Sequence, residues 1–406
     1  LSFAQKYFIL IANGISQRVE LNPRMGMKKV LHIITGLSNG GAEAVLSRLI
    51  EFDRASDIRH HVISLTDRGL YAARLEHIDV PVDCLNFPRG RVTSSGLIKL
   101  FGLIRKIKPD IVQTWMYHSD LIGGIVARVA GVDSVVWGIR QANLDPAHNS
   151  GGTLRVVRMC ARLSRWVPRK IVSCSEQATR LHQAAGYRAD KFVQIPNGYS
   201  MERLKPDASA RHGIRAELGV PADAFVLGMV ARFNVQKDHR NLIRALGLLK
   251  RRGVQFTCLL VGVDMEPAND TLRGWIEEAG ISGDVRLLGP RSDIPAVMNA
   301  MDVHVLSSLG EGFPNVLAEA MACGIPCVTT DVGDAAVIVG AHGWVVAPQD
   351  AGALADGLTQ AHASFLKSRE DWRSLKSACR SHIMANFELE VMCERYRQVW
   401  KACMPN

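Results

Sequence analysis

Apolar residues along this chain of 406 residues fall into two alternating textures, short runs of strand length and longer segments with apolar positions three and four apart. Val30 to Thr35, His61 to Leu65, Val82 to Asn86, Ile111 to Thr114, Val135 to Trp137 and Ile171 to Cys174 read as strands. Ala42 to Glu51, Gly96 to Ile107 and Ser119 to Ala130 read as helices between them. Such alternation predicts a parallel, doubly wound sheet. The pattern breaks at Ile195-Pro-Asn-Gly198, and Pro206 to Gly213 is polar. A second alternation begins at Phe225 to Val230 and continues through helix 238–251, strand Thr257 to Val261, helix Thr271 to Ala279 and strand Val285 to Leu288. The expectation is an α/β chain of two Rossmann-like domains, 27–200 and 201–388, hinged near residue 200 with a cleft between them. The last helix, within 389–406, is expected to return and brace the first domain.

Residues 1–26 fit this scheme poorly, because Met27-Lys-Lys-Val-Leu-His-Ile-Ile34 runs directly into the first strand. They read as an upstream extension rather than a signal peptide. No segment is long and apolar enough to span a membrane. The nine cysteines are an odd, scattered set without metal-like pairing, which suits a reducing compartment.

The net charge of +10 is unevenly spread. Residues 1–200 carry 27 Lys and Arg against 15 Asp and Glu, whereas 201–406 carry 22 against 24. An anionic partner for the first domain alone follows from that asymmetry. In Thr153 to Val167, Arg155, Arg158, Arg162 and Arg165 share one helical face beside apolar positions and Trp166. This is the pattern of a helix lying on an anionic bilayer, and equally of a surface helix with a solvated arginine face. No interleaved aromatic motif of nucleic-acid binding accompanies it.

The densest chemistry lies between Ser307 and Asp334. Asp302 to Leu306 reads as a strand, Ser307 to Phe313 as a Gly-rich loop, and Pro314 as the first residue of a helix through Val316, Leu317, Ala320 and Met321. Gly324 and Pro326 stop that helix, and Cys327 to Thr330 is the next strand. Glu311 falls in the loop and Glu319 in the helix, with seven residues between. Two acids flanking a helix N-terminus suit a nucleotide-sugar: carboxylates for hydroxyls, free N–H groups for phosphate.

These residues carry a resemblance that spans nearly the whole chain. Gly40-Gly41-Ala-Glu43, Pro109-Asp-Ile-Val112, Ile195-Pro-Asn-Gly198, Ala231-Arg-Phe-Asn-Val-Gln-Lys237, Leu288-Gly-Pro-Arg-Ser-Asp293 and the Glu311/Glu319 motif occur in the order of the family-4 retaining glycosyltransferases of the GT-B fold. The resemblance implies that Arg232 and Lys237 hold the donor diphosphate, an electrostatic role of the kind that often dominates catalysis. It implies that Glu319 accepts from the ribose hydroxyls and that Glu311 lies beside the transferred sugar. The backbone from Gly312 through Phe313 and Pro314 to Asn315 is placed by it along sugar hydroxyls and phosphate, the N–H groups coming from the residues other than proline. Gly41 would approach the diphosphate from the first domain, and Arg291 would lie where the backbone reads the base.

One position departs from the family. Where relatives carry a histidine after the strand Val135 to Trp137, this chain has Arg140, which cannot act as a general base at neutral pH and is suited to a phosphate or carboxylate. His118 is the alternative imidazole, or a structural histidine. The family is described by front-face transfer, with the leaving phosphate taking the acceptor proton, so no protein base is assigned. No Asp-x-Asp motif occurs, and neither a cofactor nor a catalytic metal is expected, the nucleotide-sugar serving as co-substrate. The expected enzyme moves a hexose or N-acetylhexosamine, from a UDP-sugar, to a lipid-linked saccharide of bacterial surface-polysaccharide synthesis. It would work in the cytoplasm, peripheral on the inner face of the membrane. A GT-B-fold UDP-sugar 2-epimerase and a catalytically silent membrane-peripheral scaffold are the alternatives.

Overall fold

A computed structural model describes residues 28–38, 40–88, 91–146 and 149–404. The expected extension at 1–26 lies outside the described residues. The first half alternates β1 (Lys28–Ile34), α1 (Gly41–Asp53), β2 (Ile58–Ser64), α2 (Gly69–Glu76), β3 (Val82–Cys84), α3 (Ser94–Ile107) and β4 (Ile111–Trp115). It continues with α4 (Tyr117–Val129), β5 (Val135–Ile139), α5 (Gly151–Leu163), β6 (Lys170–Ser173), α6 (Glu176–Ala184) and β7 (Phe192–Gln194). The second half runs α7 (Ala208–Glu217), β8 (Val226–Val230), α8 (His239–Arg251), β9 (Thr257–Val261), α9 (Asp270–Glu278), β10 (Val285–Leu287) and α10 (Ile294–Ala300). Then come β11 (Val303–Leu306), α11 (Asn315–Ala322), β12 (Cys327–Thr330), α12 (Ala335–Val339), β13 (Trp344–Val346), α13 (Ala351–Lys367), α14 (Arg369–Asn386) and α15 (Leu389–Cys403).

Two wholly parallel sheets result, ordered β3-β2-β1-β4-β5-β6-β7 and β10-β9-β8-β11-β12-β13. This is the two-domain, doubly wound arrangement expected of the chain. Both strand orders reverse direction beside a central strand, between β1 and β4 and between β8 and β11, and ligands of such sheets bind beyond the carboxyl ends at those switch points. Strands buried on both faces explain the continuous apolar runs: Val30 to Ile34 and Leu227 to Met229 are buried throughout, the polar His32 and the small Gly228 included.

Three details depart from the pattern reading. The polar stretch after Pro206 is the helix α7, whose Arg211 and Arg215 both pair with the buried Asp302. A helix held by ion pairs rather than an apolar stripe is invisible to periodicity. Pro314 caps α11 with extended backbone instead of opening it, so Asn315 is the first helical residue. The short edge strands β7 and β13 have no apolar run long enough to stand out.

α15 leaves the second domain and packs into the first. Leu389, Met392, Cys393, Tyr396, Val399, Trp400 and Cys403 join a core built from β1, α1, α2 and β4. Ser134 Oγ donates to the Cys403 carbonyl at 2.6 Å and Trp400 Nε1 to Gln113 Oε1 at 3.2 Å, which fixes the helix in register.

Candidate active site

The carboxyl ends of both sheets face each other across a cleft of about 980 Å³. Its lining includes Gly41, Arg140, Arg232, Lys237, Arg291, Glu311, Gly312, Phe313, Pro314, Asn315 and Glu319. Of the residues singled out from sequence, His118 alone does not line it. That side chain sits half-buried in the first turn of α4, where desolvation lowers its pKa and keeps the ring neutral. The cleft is reached at this strand end by Met116, whose backbone (φ 75°, ψ 156°) lies in a region that only glycine occupies freely.

On the second domain, the turn after β8 is sewn to the loop after β11. Gln236 Nε2 donates to the Gly310 carbonyl (2.6 Å), the Leu309 amide to the Gln236 carbonyl (2.8 Å), and Ser307 Oγ to the Lys237 carbonyl (2.8 Å). Lys237 Nζ thereby meets Glu311 Oε1, which also accepts from Ser308 Oγ at 2.7 Å. Arg232 lines the same wall with no carboxylate within 4 Å among the described residues, although its charge acts on the Glu43 carboxyl. The Arg291 guanidinium is held by Asp293 (2.7 Å) and Glu217 (2.6 Å), which raise its pKa and occupy its side chain.

The first domain presses on this wall at three points. Gly41 lies so close that a Cβ there would stand 3.2 Å from Asn315 Nδ2, and Asn315 Oδ1 accepts from Asn197 Nδ2 (2.8 Å) and Tyr199 Oη (2.6 Å). A Cβ on Gly312 would stand 2.7 Å from the Arg140 carbonyl oxygen. Asp334 extends its carboxylate to the Glu176 and Gln177 amides (3.1 and 3.4 Å), capping α6 from across the cleft. Burial raises the Asp334 pKa, against the pull of those two amides.

Arg48 is the cleft residue that sequence reasoning missed. It lies seven positions after Gly41 on α1, two turns along the same face. Its Nη1 is 3.4 Å from Glu319 Oε1, its guanidinium sits 4.7 Å from the Tyr199 ring centroid, and its buried Nε and Nη2 have no partner. The i+7 spacing from Gly41 was the available signal.

Arg140 is held without a carboxylate. Nη1 donates to Asn197 Oδ1 at 2.8 Å, Nη2 donates to Tyr396 Oη, and the guanidinium stacks 4.6 Å from the Trp115 ring centroid. Its Nε is buried and unpartnered. Trp115 is itself anchored: Nε1 donates to His32 Nδ1 (3.2 Å), His32 Nε2 bonds His60 Nδ1 (3.0 Å), and His60 Nε2 bonds Asp53 Oδ2 (2.8 Å). Because an indole only donates, the proton order is fixed along the row, and His32 must be neutral. Burial and then the neighbouring His60 depress its pKa accordingly. For Asp53, burial pushes upward, but the bonds from His60 and Arg397 prevail and hold its pKa below the usual range.

No group of three or more His, Cys, Asp or Glu side chains able to hold a metal ion occurs among the described residues. What the cleft offers is cations, helix N-termini and hydroxyl-accepting acids.

Two family models match in tandem and together span well over half the chain: the Glycosyltransferase Family 4 model over residues 39–203 and the Glycosyl transferases group 1 model over 211–376. The chain is similar to the putative glycosyltransferase EpsF of Bacillus subtilis, 29% identical over 75% of this chain and 79% of that one. It is 28% identical, over 62% of this chain and 65% of the relative, to the Escherichia coli UDP-Gal:alpha-D-GlcNAc-diphosphoundecaprenol alpha-1,3-galactosyltransferase. The crystal structure of Anabaena Alr3699/HepE in complex with UDP superposes with a TM-score of 0.80 at 25% identity, covering 92% of this chain and all of that one.

Proposed function

Since the chain belongs to glycosyltransferase family 4 and has the GT-B fold, we propose that it transfers a hexose or N-acetylhexosamine from a UDP-sugar to a lipid-linked saccharide, with retention at the anomeric carbon. The observation that carries this reading is the convergence of Gly41, Arg232, Lys237, Glu311 and Glu319 on one cleft from separate strand ends. The HepE neighbour is a UDP complex and the E. coli relative uses UDP-Gal, which supports the donor class. The same relative acts on a diphosphoundecaprenol-linked sugar, which supports the acceptor class; a Staphylococcus aureus relative named as the capsular polysaccharide biosynthesis glycosyltransferase CapM supports a place in surface-polysaccharide synthesis.

In this reading Glu319 accepts hydrogen bonds from the ribose, taking over from Arg48. Arg232 and Lys237 neutralise the diphosphate as it leaves, so the push on the glycosidic bond comes from protein cations and no metal ion is needed. Glu311, tethered by Ser308 and Lys237, orients the transferred sugar. The acceptor hydroxyl attacks from the face the diphosphate vacates and gives its proton to the leaving phosphate. Closing the two domains excludes water from the reacting centre.

The membrane side of the proposal rests on the first domain. Arg155, Arg158, Arg162 and Arg165 are all exposed on or just after α5, together with Met159 and Trp166, which is 66% exposed. α3 and α4 continue that flank with exposed Ile98, Phe101, Ile125 and Val129 beside Lys99, Lys106 and Arg128. Exposed apolar side chains among cations suit an anionic bilayer surface. No described helix is long and apolar enough to cross a membrane.

A panel of nucleotide-sugars scored by thermal stabilisation, then by nucleoside diphosphate release with lipid-linked acceptors, tests the whole reading. A bound donor raises the melting temperature of the native state. Neither stabilisation nor release with any donor would sink it.

A further inference from the structure

The cleft's cations divide sharply by their partners. Among the described residues, Arg48, Arg74, Arg203, Arg291 and Lys237 each face a carboxylate within 4 Å. Arg140 and Arg232 do not, and they sit on opposite walls, Arg140 after β5 and Arg232 after β8. Arg232 is exposed, so water offsets its missing partner, and in the proposed reaction the donor's diphosphate accounts for it. Arg140 is part-buried, and a part-buried guanidinium without a counter-ion is costly, because desolvation is uncompensated until an anion arrives. It therefore calls for an anion of its own.

Arg140 is built for the second anion. Asn197 and Tyr396 take one hydrogen bond each and so fix the fork without neutralising it. Tyr396 is fully buried, and burial pushes its phenol up to about 12, so it stays a neutral partner. The nearest acid beneath, Asp120, is pushed by burial to about 8, so at neutral pH it is chiefly protonated and offers little charge. Trp115 supports one guanidinium face from below, itself pinned by the His32–His60–Asp53 row. Beyond these two bonds each terminal nitrogen keeps a further N–H, and the residue lines the cleft. A planar, rigidly held guanidinium with free N–H groups matches phosphate oxygens.

We infer that Arg140 binds a phosphate of the acceptor, the diphosphate joining the acceptor saccharide to its lipid. This rests on the glycosyltransferase reading and goes beyond it by naming where the acceptor's charge is read. The position limits acceptor length as well. Asn197, which holds the Arg140 fork, also donates to Asn315 at the start of α11, next to the loop that carries Glu311; a phosphate on that fork would lie near the transferred sugar, with only a short saccharide between it and the reacting hydroxyl. The enzyme would then act on the product of an early transfer, a reaction that places the first sugar on a lipid phosphate.

The test compares one saccharide presented on a lipid diphosphate with the same saccharide on an uncharged lipid ether. The readout is the ratio of kcat/KM for the two acceptors. Wild type is expected to favour the diphosphate at least tenfold, and Arg140→Ala to cut that ratio at least tenfold. Arg140→Lys, with a point charge in place of a fork, should fall between, and it carries the test should the alanine variant fail to fold. A ratio unchanged by both substitutions overturns the proposal. An equal loss with both acceptors also overturns it, by assigning Arg140 to the donor. Failure of the underlying reading looks different, since wild type would then release no nucleoside diphosphate with either acceptor.

Discussion

Gly312→Ala tests whether the contact between domains belongs to the working conformation. The glycine's backbone is not left-handed, so its own φ would admit alanine. Only the other domain forbids it. The new methyl would stand 2.7 Å from the Arg140 carbonyl oxygen and 3.2 Å from the Gln141 Cα. An ordinary carbon–oxygen contact is about 3.3 Å, so the walls must part by roughly 0.6 Å. Both obstructing atoms are backbone and cannot rotate aside. Overpacking of this kind costs about 1–3 kcal/mol, charged here to the closed arrangement. At 1.4 kcal/mol per decade, kcat/KM should fall roughly 5- to 140-fold. Steady-state nucleoside diphosphate release measures it. Gly310→Ala is the control: its methyl would meet only the Asn143 side-chain amide at 2.8 Å, which can swing away, so the loss should be small. If Gly312→Ala keeps its fold and its kcat/KM stays within twofold of wild type, turnover does not pass through this contact.

Glu319→Ala should weaken donor affinity by about tenfold or more, the worth of hydrogen bonds to a charged acceptor, while Lys237→Ala should chiefly lower kcat; unchanged kinetics in both would refute the donor site. In a flotation assay with anionic vesicles at low salt, the protein should rise with the lipid, and replacing Arg155, Arg158, Arg162 and Arg165 by Glu should leave it at the bottom; wild type that stays down removes the bilayer surface from the account. Asp120→Asn should alter the pH dependence of stability. Burial raises the native carboxyl to about 8, so the folded chain holds that proton more tightly than the unfolded one and loses stability as pH rises from about 4 toward 8. The asparagine chain escapes that loss, so its advantage in melting temperature should grow up to about pH 8 and level off; a gap constant from pH 5 to 9 would contradict the buried, proton-holding carboxyl.

The architecture was legible because each element carries its own local signature: apolar runs for β1, β4, β8 and β11, a Gly-rich loop before α11, glycine and proline after it. The cleft residues Gly41, Arg232, Lys237, Glu311 and Glu319 were legible for a similar reason, standing at strand ends in recognisable order. Partnership was not legible. Nothing local says that Arg48 will meet Glu319, that Asp334 will cap α6, or that Asn197 will bridge Arg140 of its own domain and Asn315 of the other, since each pair joins residues far apart in sequence. His118 shows the converse. It follows a strand end, as the cleft residues do, but the backbone turn at Met116 carries it onto the first turn of α4, away from the cleft lining.

The return of α15 to the first domain has a consequence for biosynthesis. Burying a large apolar side chain contributes about 1.5–3 kcal/mol, and α15 buries Leu389, Met392, Tyr396, Val399 and Trp400 in the first domain, a sum comparable with the whole stability of a domain. A ribosome emits most of the first domain early but delivers α15, part of its core, only after the whole of the second domain. The usual order, in which N-terminal domains finish first, is therefore inverted. A nascent chain stalled before Leu389 should resist protease across 201–386 and be cut readily within 28–200. The half of the molecule proposed to meet the acceptor would be assembled last, on a finished second half.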